Sequence, residues 1–112
     1  MRDETAFAFA GIWDEWRGDE KVITSCAIIT TTANELLASI HDRMPVILQA
    51  ESQDSWLDAE SDTRTLRSLL APFPASEMAS HPVSYDVNHP KIDDEYLIKP
   101  VVPNIGVTPS LF

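Results

Sequence analysis

At 112 residues, with 44% apolar and 8% aromatic content, the chain has material for one domain with one core and is too apolar to be a disordered segment. Eighteen acidic against eight basic residues give a formal charge of -10, which disfavours binding to any polyanion except along a local basic path. A single cysteine, Cys26, excludes an internal disulfide framework, and no apolar run reaches membrane-spanning length; with a start, Met1-Arg2-Asp3-Glu4, that lacks the order of a signal peptide, the expectation is a cytoplasmic protein with no membrane contact.

Taken in order, residues 6–13 are almost continuously apolar and too short for a confident helix, so they read as a strand buried on both faces. Residues 16–20 supply a charged turn, and residues 21–31, rich in β-branched side chains, form its hairpin partner. Thr32-Ala33-Asn34-Glu35 has the form of a capping box, which predicts a short helix with Leu36, Leu37 and Ile40 as its buried stripe. That helix ends near His41, because Pro45 pushes the residue before it out of the α region and Val46-Ile47-Leu48 favours a strand. A second short helix is expected within residues 49–59, anchored by Trp56 and Leu57. A third runs over residues 62–71, capped by Ser61 or Asp62, with Leu66, Leu69 and Leu70 at helical spacing. Pro72 and Pro74 stop it. Residues 78–88 read as extended, and residues 90–112, with four prolines, as a loop-like tail.

Two places carry candidate chemistry. His41 at a helix C-terminus would have its protonated form favoured by the dipole, either as a plain cap or as a group that exchanges protons near neutral pH. Arg43 is either an ion-pair partner for Asp42 or Glu35 or a ligand for a phosphate. Asp14 and Glu15 are either solvated residues at a strand end or carboxylates whose proton affinity is raised by Ile12, Trp13 and Trp16. Cys26 reads as a small core residue, and Trp13, Trp16 and Trp56 read as core anchors more readily than as stacking platforms for bases. His81 and His89 lack metal-ligand spacing, so neither a metal nor another cofactor is expected.

The ordered segments 7–16, 28–34, 40–48 and 56–57, followed by Val83-Ser84, Val87-Asn88 and Leu97-Ile98-Lys99-Pro100, resemble the SOS response-associated peptidase (SRAP) family. The resemblance covers the C-terminal half of the family domain. Residues 1–100 are taken as that half domain and 101–112 as an extended tail. The fold it implies is α+β: a curved, mixed sheet of about four strands, part of a barrel, with two or three short helices. Its implied function is shielding of abasic sites in single-stranded DNA during the DNA damage (SOS) response by covalent crosslinking, with lyase and self-processing peptidase activity.

By matching position, the resemblance gives His41 an acid or base role on the opened sugar and Arg43 a DNA phosphate. It gives the family glutamate to Asp14 or Glu15, and Trp16 joins Arg43 as a DNA-binding residue. The family nucleophile is an N-terminal cysteine, exposed after methionine removal, whose amine and thiol close a thiazolidine on the sugar aldehyde. Position 2 is Arg2, and Cys26 has no free α-amine, so crosslinking by this chain is not expected. If Asp14 is the match, the carboxylate is shorter by one methylene, which matters because proton transfer needs about 2.6–3.2 Å between heavy atoms. A shallow pocket joining Asp14 or Glu15 to His41, with Arg43 at its rim, is the expectation of a working site. The competing expectation is an inactive remnant that acts as a binding module, its half-sheet covered by a second copy or by the missing N-terminal half. A free-standing protease ranks behind both, since no serine, cysteine and histidine arrangement supplies an activated nucleophile.

Overall fold

The computed structural model describes residues 1–102, which fall into two compact units, 1–79 and 80 onward. The first unit holds six short strands: β1 (Ala8–Phe9), β2 (Gly11–Arg17), β3 (Val22–Ile28), β4 (Thr30–Thr32), β5 (Arg43–Pro45) and β6 (Ile47–Leu48). They pair as three antiparallel two-stranded ribbons, β1 with β6, β2 with β3 and β4 with β5. The expected mixed sheet of four strands is therefore replaced by three ribbons, with no closed barrel among the described residues.

The ribbons meet at three residues that lie between consecutive strands. The Ala10 amide donates to the Val46 carbonyl (2.8 Å), the Val46 amide to the Ile29 carbonyl (2.9 Å), and the Ile29 amide to the Ala10 carbonyl (3.0 Å). This closed ring of bonds satisfies the backbone groups at the most buried point of the unit, where an unpaired group would be costly. Ala10 and Val46 are fully buried, and with Leu48 they form the core cluster against which Ile29, Trp56, Leu69 and Leu70 are laid. The apolar run at Val46-Ile47-Leu48 thus becomes the centre of the fold, as its pattern requires. Met44, also buried, extends it along β5.

The helices are shorter than the sequence pattern suggests. α1 (Gln53–Leu57) follows a 3₁₀ turn at Ala50–Ser52, and its Trp56 indole donates to the Gly11 carbonyl (3.1 Å). Leu57, expected as a second anchor, is exposed. α2 (Thr63–Ser68) starts at Asp62, whose carboxylate accepts from the Thr65 amide (2.7 Å), which settles the cap between Ser61 and Asp62.

Residues 35–40 do not form a helix. The cap falls on Asn34 rather than Thr32: its side-chain oxygen accepts from the Leu37 amide (3.1 Å) while its nitrogen donates to the Phe73 carbonyl (2.7 Å). Bonds from Ala38 to Asn34 and from His41 to Leu37 close single turns, and Thr32 is held in β4 by its pairing with Arg43. These two turns fill the stretch between β4 and β5 without joining into a helix, and Ile40 is left exposed.

The largest departure from expectation is β2–β3. Pairing runs in register from Gly11–Ile28 to Arg17–Val22, closed by a bond from the Gly18 amide to the Lys21 carbonyl (2.9 Å), so the hairpin is as its sequence suggests. Every one of its fourteen strand residues is nevertheless exposed, Cys26 and both tryptophans included. The apolar pattern describes a strand with cover on both faces, and the described residues provide no layer to cover it.

The second unit has no strand among its described residues. It contains 3₁₀ turns at Tyr85–Asn88 and Glu95–Ile98, each capped by a side chain, Ser84 and Asp94. The expected extended run over 78–88 is thus broken at its end by a turn. Its contacts include the Val101 amide to the Pro82 carbonyl (3.0 Å) and the Tyr96 hydroxyl to Asp86 (2.8 Å). Most of the tail expected at 101–112 lies outside the described residues.

Candidate functional site

His41, Asp42 and Arg43 lie where the single turn enters β5. Arg43 pairs with Thr32, and its guanidinium reaches the diagonal neighbour on the same face, donating to the Thr30 carbonyl (2.8 Å) and hydroxyl (3.1 Å) from Nη2. Nη1 and Nε have no bond among the described residues. The side chain is exposed, held at one end of its fork and open at the other, a form suited to an anion such as a phosphate oxygen. Neither Asp42 nor Glu35 is its ion-pair partner.

Asp42 instead approaches His41. The imidazole Nδ1 lies 3.0 Å from the Arg43 amide nitrogen and 3.1 Å from Asp42 Oδ1. An amide N–H only donates, so toward it Nδ1 is an acceptor and the ring proton of the neutral imidazole sits on Nε2. Protonation of Nδ1 turns the same atom into a donor for Asp42. Thus a neutral ring is braced by the Arg43 backbone and a charged one by the Asp42 carboxylate. His41 follows one turn rather than a helix, which removes the dipole expected to act on it.

Asp14 and Glu15 belong to a different ribbon, four and five positions beyond Ala10, about 13–17 Å along β2. The Asp14 carboxylate accepts from the Glu15 amide (2.8 Å), and Glu15 pairs with Arg17 (3.1 Å) two residues along the same face. Both are engaged locally and exposed, in place of the desolvated setting expected beside the tryptophans. The Trp16 ring lies over Gly18, where a Cβ would meet it unless the exposed indole moved aside. Trp13 is the most exposed of the three tryptophans, at 70%.

A cleft of about 200 Å³ lies elsewhere, bordered by Met1, Asp3, Thr5, Phe7, Gln49 and Glu51 among others. None of Asp14, Glu15, Trp16, His41 or Arg43 borders it. Arg2 is tied down nearby, its amide donating to the Glu77 carbonyl and its Nε to the Met78 carbonyl, both at 3.1 Å. Among the described residues no group of three or more His, Cys, Asp or Glu is placed to hold a metal ion.

Sequence reasoning missed three supporting residues. Thr30 fixes Arg43, Asp42 addresses His41, and Asn34 ties the turn before His41 to Phe73. Asn34 carries a local signal as a side chain that bonds to backbone a few residues on, and Asp42 as the chain neighbour of His41. The contacts of Thr30 depend on strand register.

The family model described as SOS response associated peptidase (SRAP) matches residues 1–90. The chain belongs to the SRAP family. It is 43% identical over 101 residues to the "Abasic site processing protein YoqW" of Bacillus subtilis, covering 88% of this chain and 45% of that protein. It is 41% identical over 97 residues to the "Abasic site processing protein HMCES" of Gallus gallus, covering 82% of this chain and 28% of the relative. A solved protein from Bacteroides thetaiotaomicron superposes with a TM-score of 0.81 at 28% identity, over 90% of this chain and 46% of that one. This SRAP chain therefore spans less than half the length of these relatives.

Proposed function

We propose that the chain acts at abasic sites in single-stranded DNA, with Arg43 engaging a backbone phosphate and His41 exchanging a proton with the opened sugar. The observation that supports this reading is the His41–Asp42–Arg43 arrangement in a member of a family whose relatives are named abasic site processing proteins. The bond from the Arg43 amide to Nδ1 leaves a proton on Nε2, which can be given to a sugar oxygen. Recharging through Nδ1 is met by Asp42. Arg43 and His41 are two residues apart, so a phosphate held by the open side of the guanidinium brings the adjoining sugar toward the imidazole.

Thiazolidine formation is not part of this proposal. Cys26 lies on the exposed hairpin, inside β3 and without an α-amine. Asp14 and Glu15 are likewise left out of the catalytic step, since their carboxylates are engaged within β2.

The test is incubation of the chain with single-stranded DNA bearing one abasic site, resolved on a denaturing gel beside His41→Ala. Strand cleavage that falls at least tenfold in the variant supports the proposal; cleavage equal in both, or none in either, overturns it. A second reading, an inactive partner-binding module, is favoured by the uncovered β2–β3 ribbon.

A further inference from the structure

We propose that Asn34 is a positioning residue for the His41–Asp42–Arg43 site. Its side-chain amide ties the loop that carries His41 to the Phe73 carbonyl, and so holds Nδ1 of the imidazole on the Arg43 amide. Residues 34–41 form a loop between β4 and β5, closed at its neck where the Ala33 amide donates to the Asp42 carbonyl (3.0 Å). The ladder fixes Arg43 from that side. His41 has no place in the ladder, so its backbone amide is placed by the bonds inside the loop.

Those bonds converge on Asn34. Its carbonyl accepts from the Ala38 amide (2.8 Å), and its side-chain oxygen accepts from the Leu37 amide (3.1 Å). The peptide unit between Leu37 and Ala38, held by its N–H in this way, presents its carbonyl to the amides of Ile40 (2.9 Å) and His41 (3.0 Å). A peptide unit is planar, so fixing its N–H end sets the direction of its C=O end and with it the His41 amide. The other polar groups of Asn34 reach outside the loop. The side-chain nitrogen donates to the Phe73 carbonyl (2.7 Å) and lies 3.4 Å from the Met78 sulfur, while the backbone amide lies 3.4 Å from the sulfur of buried Met44. Backbone and side chain are thus both engaged, with the loop on one side and its surroundings on the other.

A local cap needs only the oxygen of Asn34. The bond to Phe73, 39 positions along the chain, holds the turn against the rest of the unit. A serine hydroxyl could still accept from the Leu37 amide but is too short to reach Phe73 as well, so the two roles can be separated. The consequence lies at the ring: the 3.0 Å approach of Nδ1 to the Arg43 amide keeps the neutral ring's proton on Nε2, the atom the proposed chemistry uses. The inference rests on that reading of His41, but its first test needs no DNA.

The full chain, labelled with nitrogen-15, is studied by NMR at about pH 8, above the ordinary histidine range. A coupling across the hydrogen bond between the Arg43 amide nitrogen and Nδ1 reports the contact, and His41→Ala assigns it. The native chain is expected to show the coupling. Asn34→Ala and Asn34→Ser are expected to lose it while the Ala10, Ile29 and Val46 amides stay slow to exchange. Ser39→Gly, in the same loop and outside these bonds, is expected to keep it. Cleavage of single-stranded DNA bearing an abasic site is expected to fall about tenfold or more in both Asn34 variants.

Absence of the coupling in the native chain overturns the proposal, as does its survival in Asn34→Ala. Survival in Asn34→Ser alone reduces Asn34 to a local cap, and loss in Ser39→Gly makes the effect one of loop stiffness; either overturns the tether. Fast exchange of the three core amides in both Asn34 variants makes Asn34 a residue of the core, with the same result. So does native-level cleavage by a variant that has lost the coupling. A native chain that shows the coupling, loses it in both Asn34 variants and leaves abasic DNA intact refutes the proton exchange proposed above while the placement of the imidazole by Asn34 stands.

Discussion

The Nδ1 atom of His41 is addressed by two groups that want opposite things of it, the Arg43 amide as donor and the Asp42 carboxylate as acceptor. Both side chains of the His41–Asp42 pair are well solvated, so the pair itself adds little to stability. Asp42→Asn is therefore expected to change unfolding free energy by less than about 0.5 kcal/mol, measured by urea titration at neutral pH. A loss above about 1.5 kcal/mol would show the carboxylate to be structural. Asp62 makes the contrasting case. The Thr65 amide holds its carboxyl below the ordinary value of 3.8. A carboxylate whose value is lowered by folding contributes stability above its unfolded value and loses it as pH falls through the folded one. The stability gap between the native chain and Asp62→Ala is thus expected to be full at pH 6 and to shrink steadily below pH 4, followed by urea titration at each pH. A gap that stays constant down to pH 2 would exclude the charged cap.

At the scale of elements, the ring of bonds through Ala10, Ile29 and Val46 divides the chain into parts with unequal effects on stability. Leu48 lies in the buried cluster on β6, and Leu48→Ala is expected to cost about 2–5 kcal/mol by lost burial and the cavity left behind. Trp13→Ser, on a larger side chain, is expected to cost less than about 1 kcal/mol in the free chain, because the indole is already solvated. Thermal melts of the two variants compare them directly, and an equal loss would mean the ribbon is covered in solution. What the sequence revealed follows the same division. Val46-Ile47-Leu48 and the pairing of residues 11–17 with 22–28 were legible because period and turn chemistry are local properties. The burial of the ribbon was misjudged because an apolar strand records the environment in which it is covered, and that environment is not made by these residues. The helix expected over 35–40 is absent for another reason: Asn34 and the β4–β5 pairing fix both ends of the segment, whose bonds close separate turns. At the candidate site, His41 and Arg43 are legible as a pair, while Thr30 appears as a support of Arg43 only once register brings it near.

For the whole molecule, charge decides how the DNA binding proposed above must behave. A net charge of -10 repels a polyanion at long range, and the exposed guanidinium of Arg43 is a single short-range attraction set against it. Each phosphate neutralised on a single strand contributes a slope of about -0.7 in log affinity against log salt. One such contact predicts a loss of only about 2- to 3-fold between 50 and 200 mM salt. Screening of the overall repulsion makes the dependence shallower still. Fluorescence anisotropy with a labelled abasic oligonucleotide across this range measures the slope, and Arg43→Ala is expected to weaken binding at every salt concentration while flattening the slope toward zero. A tenfold or greater loss in the native chain would require two or more phosphate contacts and so cations besides Arg43.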